Sequence, residues 1–227
     1  MKNCSAKYLF PVSCFLLFTV NLFSQRFHTG LMAGISATQV DGDTHDGYNK
    51  AGLMAGGFVS TNVSSSGKWE SSFEIDYIQK GSHKIPHPEK GDYTEYLLRL
   101  NYIEVPLMLK YQISPMTTVV DSAEVTHSKF SFGAGISFGA LVHAEEYSGY
   151  SQVVGGVPFE KYEWAFLAEL DYYFTKKMSV NIRHEYSILP VRNIKTTAYN
   201  IYWWNKLFSR GYYNNALVLT LKYCLKK

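Results

Sequence analysis

The chain has 227 residues, enough for one good-sized domain, and at 46% hydrophobic and 18% charged it is unsuited to extended disorder. A net charge of +3 is too small for a nucleic-acid footprint. A mean hydropathy of −0.13, with no internal run near the ~20 apolar residues of one helical span, excludes a polytopic helical membrane protein. Aromatics at 16%, with 17 glycines, favour strands, so an all-β chain is expected.

At the N-terminus, Lys2 and Lys7 precede an apolar run from Tyr8 to Phe23, and Ser24-Gln25 follow. Two cations, a short greasy core and a small-residue exit predict a secretory signal over residues 1–24 and a barrel domain over 25–227. Residues 1–24 carry two lysines and no acid, which leaves a charge of +1 on the remainder. Cys4 and Cys14 fall within the signal, so Cys224 alone remains and an intrachain disulfide framework is ruled out.

Period-two alternation then appears in eight stretches: Thr29–Val40, Ala51–Val63, Trp69–Gly81, Glu95–Ile113, Lys129–Ala144, Lys161–Phe174, Met178–Pro190 and Tyr213–Leu225. Each holds the ~9–11 residues with which a tilted strand crosses a bilayer. Tight turns at Ser64–Lys68 and Thr175–Lys177 alternate with long links at Asp41–Lys50, Ser82–Thr94, Glu145–Glu160 and Val191–Tyr212. Such asymmetry, with an even strand number, predicts an eight-stranded antiparallel up-and-down transmembrane β-barrel in the cell outer membrane. The Ser114–Ser128 link breaks the rule, being long enough to carry structure of its own.

The two faces of each stretch separate apolar from polar residues. Phe73, Ile75 and Tyr77 oppose Glu74 and Asp76; Trp164, Phe166, Leu170 and Tyr172 oppose Glu163, Glu169 and Asp171; Leu217, Leu219 and Leu221 oppose Thr220 and Lys222. In the fourth stretch Tyr96, Leu98, Leu100 and Tyr102 lie on one parity and Val105, Leu107, Leu109 and Tyr111 on the other. A bulge near Ile103-Glu104, beside Pro106, would keep both sets outward and turn Arg99, Glu104 and Lys110 inward. The expected lumen therefore holds Glu74, Asp76, Glu104, Glu169, Asp171 and Glu185 against Arg99, Lys110, Arg183 and Lys222. In a barrel this narrow, side chains fill the interior, and buried ions persist only when paired. The expectation is an ion-paired plug, with the surplus acids sharing a proton or meeting water, rather than a conducting path.

Leu100-Asn101-Tyr102-Ile103-Glu104-Val105-Pro106-Leu107-Met108-Leu109-Lys110-Tyr111 resembles the fourth-strand motif of the PorT-like outer-membrane β-barrel family of Bacteroidota. Gly30–Ile35, Glu74–Gly81 and, more loosely, Asn181–Tyr186 are similar to other strands of that family. The resemblance implies an eight-stranded outer-membrane barrel without enzymatic activity. The name-giving member serves protein export by the type IX route. The motif marks a fold, so an accessory role in secretion is one open task rather than an inheritance. The long Ser114–Ser128 link and the aromatic final loop depart from the family pattern.

The final loop gathers Tyr199, Tyr202, Trp203, Trp204 and Phe208 with Lys206 and Arg210. It is the candidate partner loop, for another envelope or secretion protein or for the lipopolysaccharide interface, against the plainer option of a lid with an aromatic girdle. Asp41–Gly47 misses the calcium-loop spacing, since position 45 is His and position 46 is Asp. His83, His87, Glu89 and Asp92 lack a rigid helix to hold a metal. His143 near Glu145, Glu146 and Ser148 is the one triad-like grouping, without a nucleophile elbow. No cofactor, metal or nucleic-acid partner is expected. The expected function is a non-enzymatic structural or interaction component of the envelope. The rivals are an outer-membrane hydrolase acting on lipid A or esters and a soluble lipocalin-like ligand-binding barrel.

Overall fold

A computed structural model describes residues 27–43, 45, 47–113, 116–120, 123–149, 151–193 and 211–226. The proposed signal, residues 1–24, and the aromatic loop residues Tyr199, Tyr202, Trp203, Trp204 and Phe208 lie outside them. Within the described residues the strands run β1 (Phe27–Asp41), β2 (Lys50–Asn62), β3 (Trp69–Lys84), β4 (Tyr96–Ile113), β5 (Met116–Val120), β6 (Ala123–His127), β7 (Phe130–Ser148), β8 (Ser151–Gln152), β9 (Tyr162–Tyr173), β10 (Met178–Ser187), β11 (Arg192–Asn193) and β12 (Gly211–Lys226).

Eight of these form an antiparallel ring in the order β1-β2-β3-β4-β7-β9-β10-β12, and β1 pairs with β12 to close it. Closure gives every strand two partners and leaves no edge. The Ser114–Ser128 link contains a separate hairpin, β5 against β6. β7 runs on to Ser148, past the expected end at Ala144, and β8 folds back on its tip. β10 stops at Ser187, short of Pro190.

The outside of the ring is apolar. Leu31, Ile35, Leu53, Ile75, Leu107, Phe132, Leu170, Ile182 and Leu219 are all exposed, a belt that water would not tolerate and acyl chains would. Two aromatic girdles bound it. Trp69 meets Tyr111 and Phe130 meets Tyr172 near the short turns, each with ring centroids 5.1 Å apart. Phe138 packs on Trp164 at 5.1 Å and Tyr186 on Tyr213 at 6.3 Å toward the long loops. The rise from Phe130 to Phe138, at roughly 3.4 Å per residue and a tilt of about 40°, separates the girdles by about 20 Å, close to the apolar band of a membrane barrel.

The expected parity shift in β4 is absent. Leu98, Leu100, Tyr102, Glu104, Met108, Lys110 and Gln112 are buried in unbroken alternation. The extra residue sits in β7 instead: Asn101 faces His143 while Tyr102 faces Leu141, so Val142 is the bulge. Arg99 consequently points outward and meets Glu145 at 3.5 Å on the exterior, its side chain half exposed. Pro106 stays in the ladder. The β3–β4 register is interrupted at Glu74 and Ile75, opposite the position where its missing N–H would have donated.

Candidate functional site: the filled lumen

Alternation places one side chain in two of every strand inside, and the even residues of β3 and β4 and the odd residues of β9 and β10 converge there. Glu74, Asp76, Glu104, Lys110, Glu169, Asp171, Arg183, Glu185 and Lys222 are all at most 4% exposed. Arg99 is not among them. Two further charges are, Lys80 on β3 and Glu163 on β9, giving seven acids and four bases. Lys80 shares the parity of Glu74 and Asp76, and Glu163 that of Glu169, so periodicity carried both signals.

The network has two lobes joined by one guanidinium. In the lobe nearer the short turns, Lys110 reaches Glu169 at 2.6 Å and Asp171 at 3.4 Å, and Lys222 reaches Glu74 at 3.1 Å and Glu169 at 3.4 Å. In the other lobe, Lys80 meets Glu104 at 2.6 Å, Glu185 at 3.1 Å and Glu163 at 3.4 Å. Arg183 bridges them. It donates to Glu74 and, at 3.1 Å, to Glu169 on one side, and meets Asp76 at 3.4 Å and Glu185 at 3.6 Å on the other. The flat guanidinium fork suits this better than an ammonium, because its N–H groups diverge in one plane.

Acids outnumber bases, and neutral donors add hydrogen bonds to Glu163, Glu169, Asp171 and Glu104. Ser187 donates to Glu163 at 2.5 Å and Asn214 to the same carboxylate at 3.1 Å. Asn181 donates to Glu169 at 3.0 Å and to Asp171 at 2.9 Å, Ser131 to Asp171 at 3.1 Å and Ser137 to Glu104 at 3.3 Å. These small residues leave room for the long charged ones across the ring.

Toward the long loops the lumen turns apolar. Met32, Val40, Met54, Ile78, Leu98, Leu100, Tyr102, Val191, Ala216 and Val218 form one buried cluster, with Phe159 and Tyr212 packed on it. Arg192 pins this cap, lying 3.7 Å over the Phe159 ring and donating to Glu146 at 2.6 Å, while Tyr96 donates to the same carboxylate at 2.9 Å. The Tyr96, Leu98, Leu100 and Tyr102 row was expected to face lipid. Leu98, Leu100 and Tyr102 instead line this cap, and Tyr96 packs against it.

An apolar exterior between aromatic girdles around an ion-paired interior defines a membrane-spanning barrel rather than a soluble one, whose apolar residues would be inside. The family model described as outer membrane protein beta-barrel domain matches residues 23–193. The chain belongs to that family. It resides in the outer membrane, where the short turns of such barrels face the periplasm and the long loops the exterior. No curated protein matches it in sequence. Its fold is similar to Ail, the attachment invasion locus protein of Yersinia pestis, at 11% identity and a TM-score of 0.43, covering 88% of this chain and 99% of that one. It is likewise similar to Neisserial surface protein A (13%, TM-score 0.42, 88% and 99%) and to OprG from Pseudomonas aeruginosa (9%, TM-score 0.32, 89% and 96%).

The remaining sequence candidates lie apart from this lumen. His143 meets Glu145 at 3.2 Å on the exposed outer face, whereas Ser148 sits farther along β7, opposite Tyr96 and Ser151. His83 pairs with Glu95 and His87 with Glu89, in separate contacts. Among the described residues no group of three or more His, Cys, Asp or Glu side chains is placed to hold a metal. In the first loop, Asp43 accepts the His45 N–H at 2.8 Å, and burial pushes its carboxyl above its ordinary value, with Ser82 and the His45 N–H opposing the shift.

Proposed function

We propose that this barrel is a non-enzymatic, non-conducting interaction component of the envelope, of the PorT-like kind, with an accessory role in protein secretion as its most specific task. The filled lumen carries the reading: among the described residues a lattice of ion pairs from β3 to β12 lies under an apolar cap, which supports a barrel closed to ions. The motif Leu100–Tyr111 supports the PorT-like assignment. A barrel that neither conducts nor catalyses acts through its rims and loops, and the aromatic Tyr199–Phe208 stretch is the proposed contact for lipopolysaccharide or another envelope protein.

Purified barrel in a planar bilayer tests the first half, with silence expected; sustained single-channel steps would contradict it. A photocrosslinker at Trp204 in intact cells tests the second, with adducts to one envelope protein expected and adducts to lipid alone arguing against a protein partner.

A further inference from the structure

Among the described residues, side chains do not fill the lumen at its periplasmic end. Below the Lys110–Lys222 floor lies a vestibule of about 610 Å³ among the turn residues, within the range of small-ligand sites. Phe58 and Tyr173 supply apolar wall. Ser60, Asn62, Gln112 and Ser179 supply hydroxyl and amide groups between them. This alternation of greasy and hydrogen-bonding surface suits an extended peptide, whose amides need partners while its side chains need apolar contact.

The rim sets the charge of the occupant. Lys110 and Lys222 are engaged by their own carboxylates. Lys129, Lys176 and Lys177 line the same cavity and are exposed. The acid in the lining is Glu70, and its carboxylate accepts from Gln112 at 2.7 Å. An anionic chain entering from the periplasm is attracted, and a cationic one is repelled. Lipid phosphate is a poorer fit, because the mouth lies inside the ring, where an acyl chain would have to leave the bilayer and cross the lysines.

We propose that this vestibule is a docking pocket for an extended acidic peptide segment presented from the periplasm. The inference rests on the barrel acting as an interaction component and names the chemistry of the partner.

The test is fluorescence anisotropy of a labelled peptide alternating Glu with Tyr, added to the full-length barrel in neutral-lipid nanodiscs. Saturable binding is expected, weakened by roughly tenfold or more in K129E/K176E/K177E and lost in Ser179→Trp, which fills the cavity without altering charge. Heat-modifiable gel mobility shows that each variant is folded. No saturable binding, equal binding of a Lys-Tyr peptide, or equal binding by folded Ser179→Trp would overturn the proposal. So would a rim variant that loses affinity only for phosphatidylglycerol vesicles, since the lysines would then be lipid contacts. An ion-silent barrel that ignores the peptide would leave the proposed function standing and remove this inference alone.

Discussion

Arg183 and Glu74 lie 109 positions apart in the chain and meet across the lumen, one on β10 and the other on β3. Their strands are not neighbours in the ring, so the contact braces the barrel across its bore rather than along its wall. Removing the guanidinium leaves Glu74, Asp76, Glu169 and Glu185, all at most 3% exposed, short of a partner. Arg183→Met is expected to lower stability by about 3–5 kcal/mol, the usual cost of breaking a buried pair from one side. Urea titration followed by heat-modifiable mobility reads it, and an unchanged midpoint would deny the network a structural role.

The corrected register of β4 makes a second expectation. Arg99 sits outside, half exposed, beside Glu145, so Arg99→Ala should cost under about 1 kcal/mol. Leu107 lies on the lipid belt, and Leu107→Arg should cost about 2–4 kcal/mol at mid-depth. If Arg99→Ala were as damaging as Arg183→Met, the side chain would have to be inside.

Closure of the ring depends on a close approach at the seam between the first and last strands. A Cβ on Gly34 would stand 2.0 Å from the Leu219 carbonyl oxygen and 2.7 Å from the Thr220 Cα, both backbone. Gly34→Ala should therefore prevent β1 from pairing with β12 and abolish the folded, fast-migrating form. Gly57→Ala, whose nearest neighbour would be the Gly30 oxygen at 3.4 Å, should refold normally.

Orientation is open to labelling. Val154 stands on a long loop and is 88% exposed, whereas Lys177 lies in a short turn. In a Cys224→Ser background, Val154→Cys should react with an impermeant maleimide on intact cells, and Lys177→Cys only after the envelope is opened. The reverse pattern would invert the barrel.

Most strand faces were legible because a period of two is unambiguous wherever one face is ionised: Phe73 against Glu74, or Ile182 against Arg183, leaves no choice of which side meets lipid. β4 was not legible for the same reason turned around. Leu98, Leu100 and Tyr102 look the same in sequence whether they face acyl chains or an apolar cap, and only the packing of Val191 and Phe159 over the mouth distinguishes the two. A lipid-facing row at these positions requires a bulge in β4 and an inward Arg99. The bulge at Val142 has no proline or glycine beside it to announce it. Lys80 lay within reach of the pattern, on the parity of Asp76, since lysine is as able as arginine to sit in a lumen when carboxylates surround it.

The reach of the ion pairs also constrains how the protein enters its membrane. Glu74 on β3 depends on Lys222 near the chain's end, 148 residues later. A hairpin threaded into the bilayer alone would carry naked carboxylates into hydrocarbon. Insertion strand by strand would be costly for that reason, and the ion pairs favour a cylinder whose first and last strands join before its bore is carried into the bilayer.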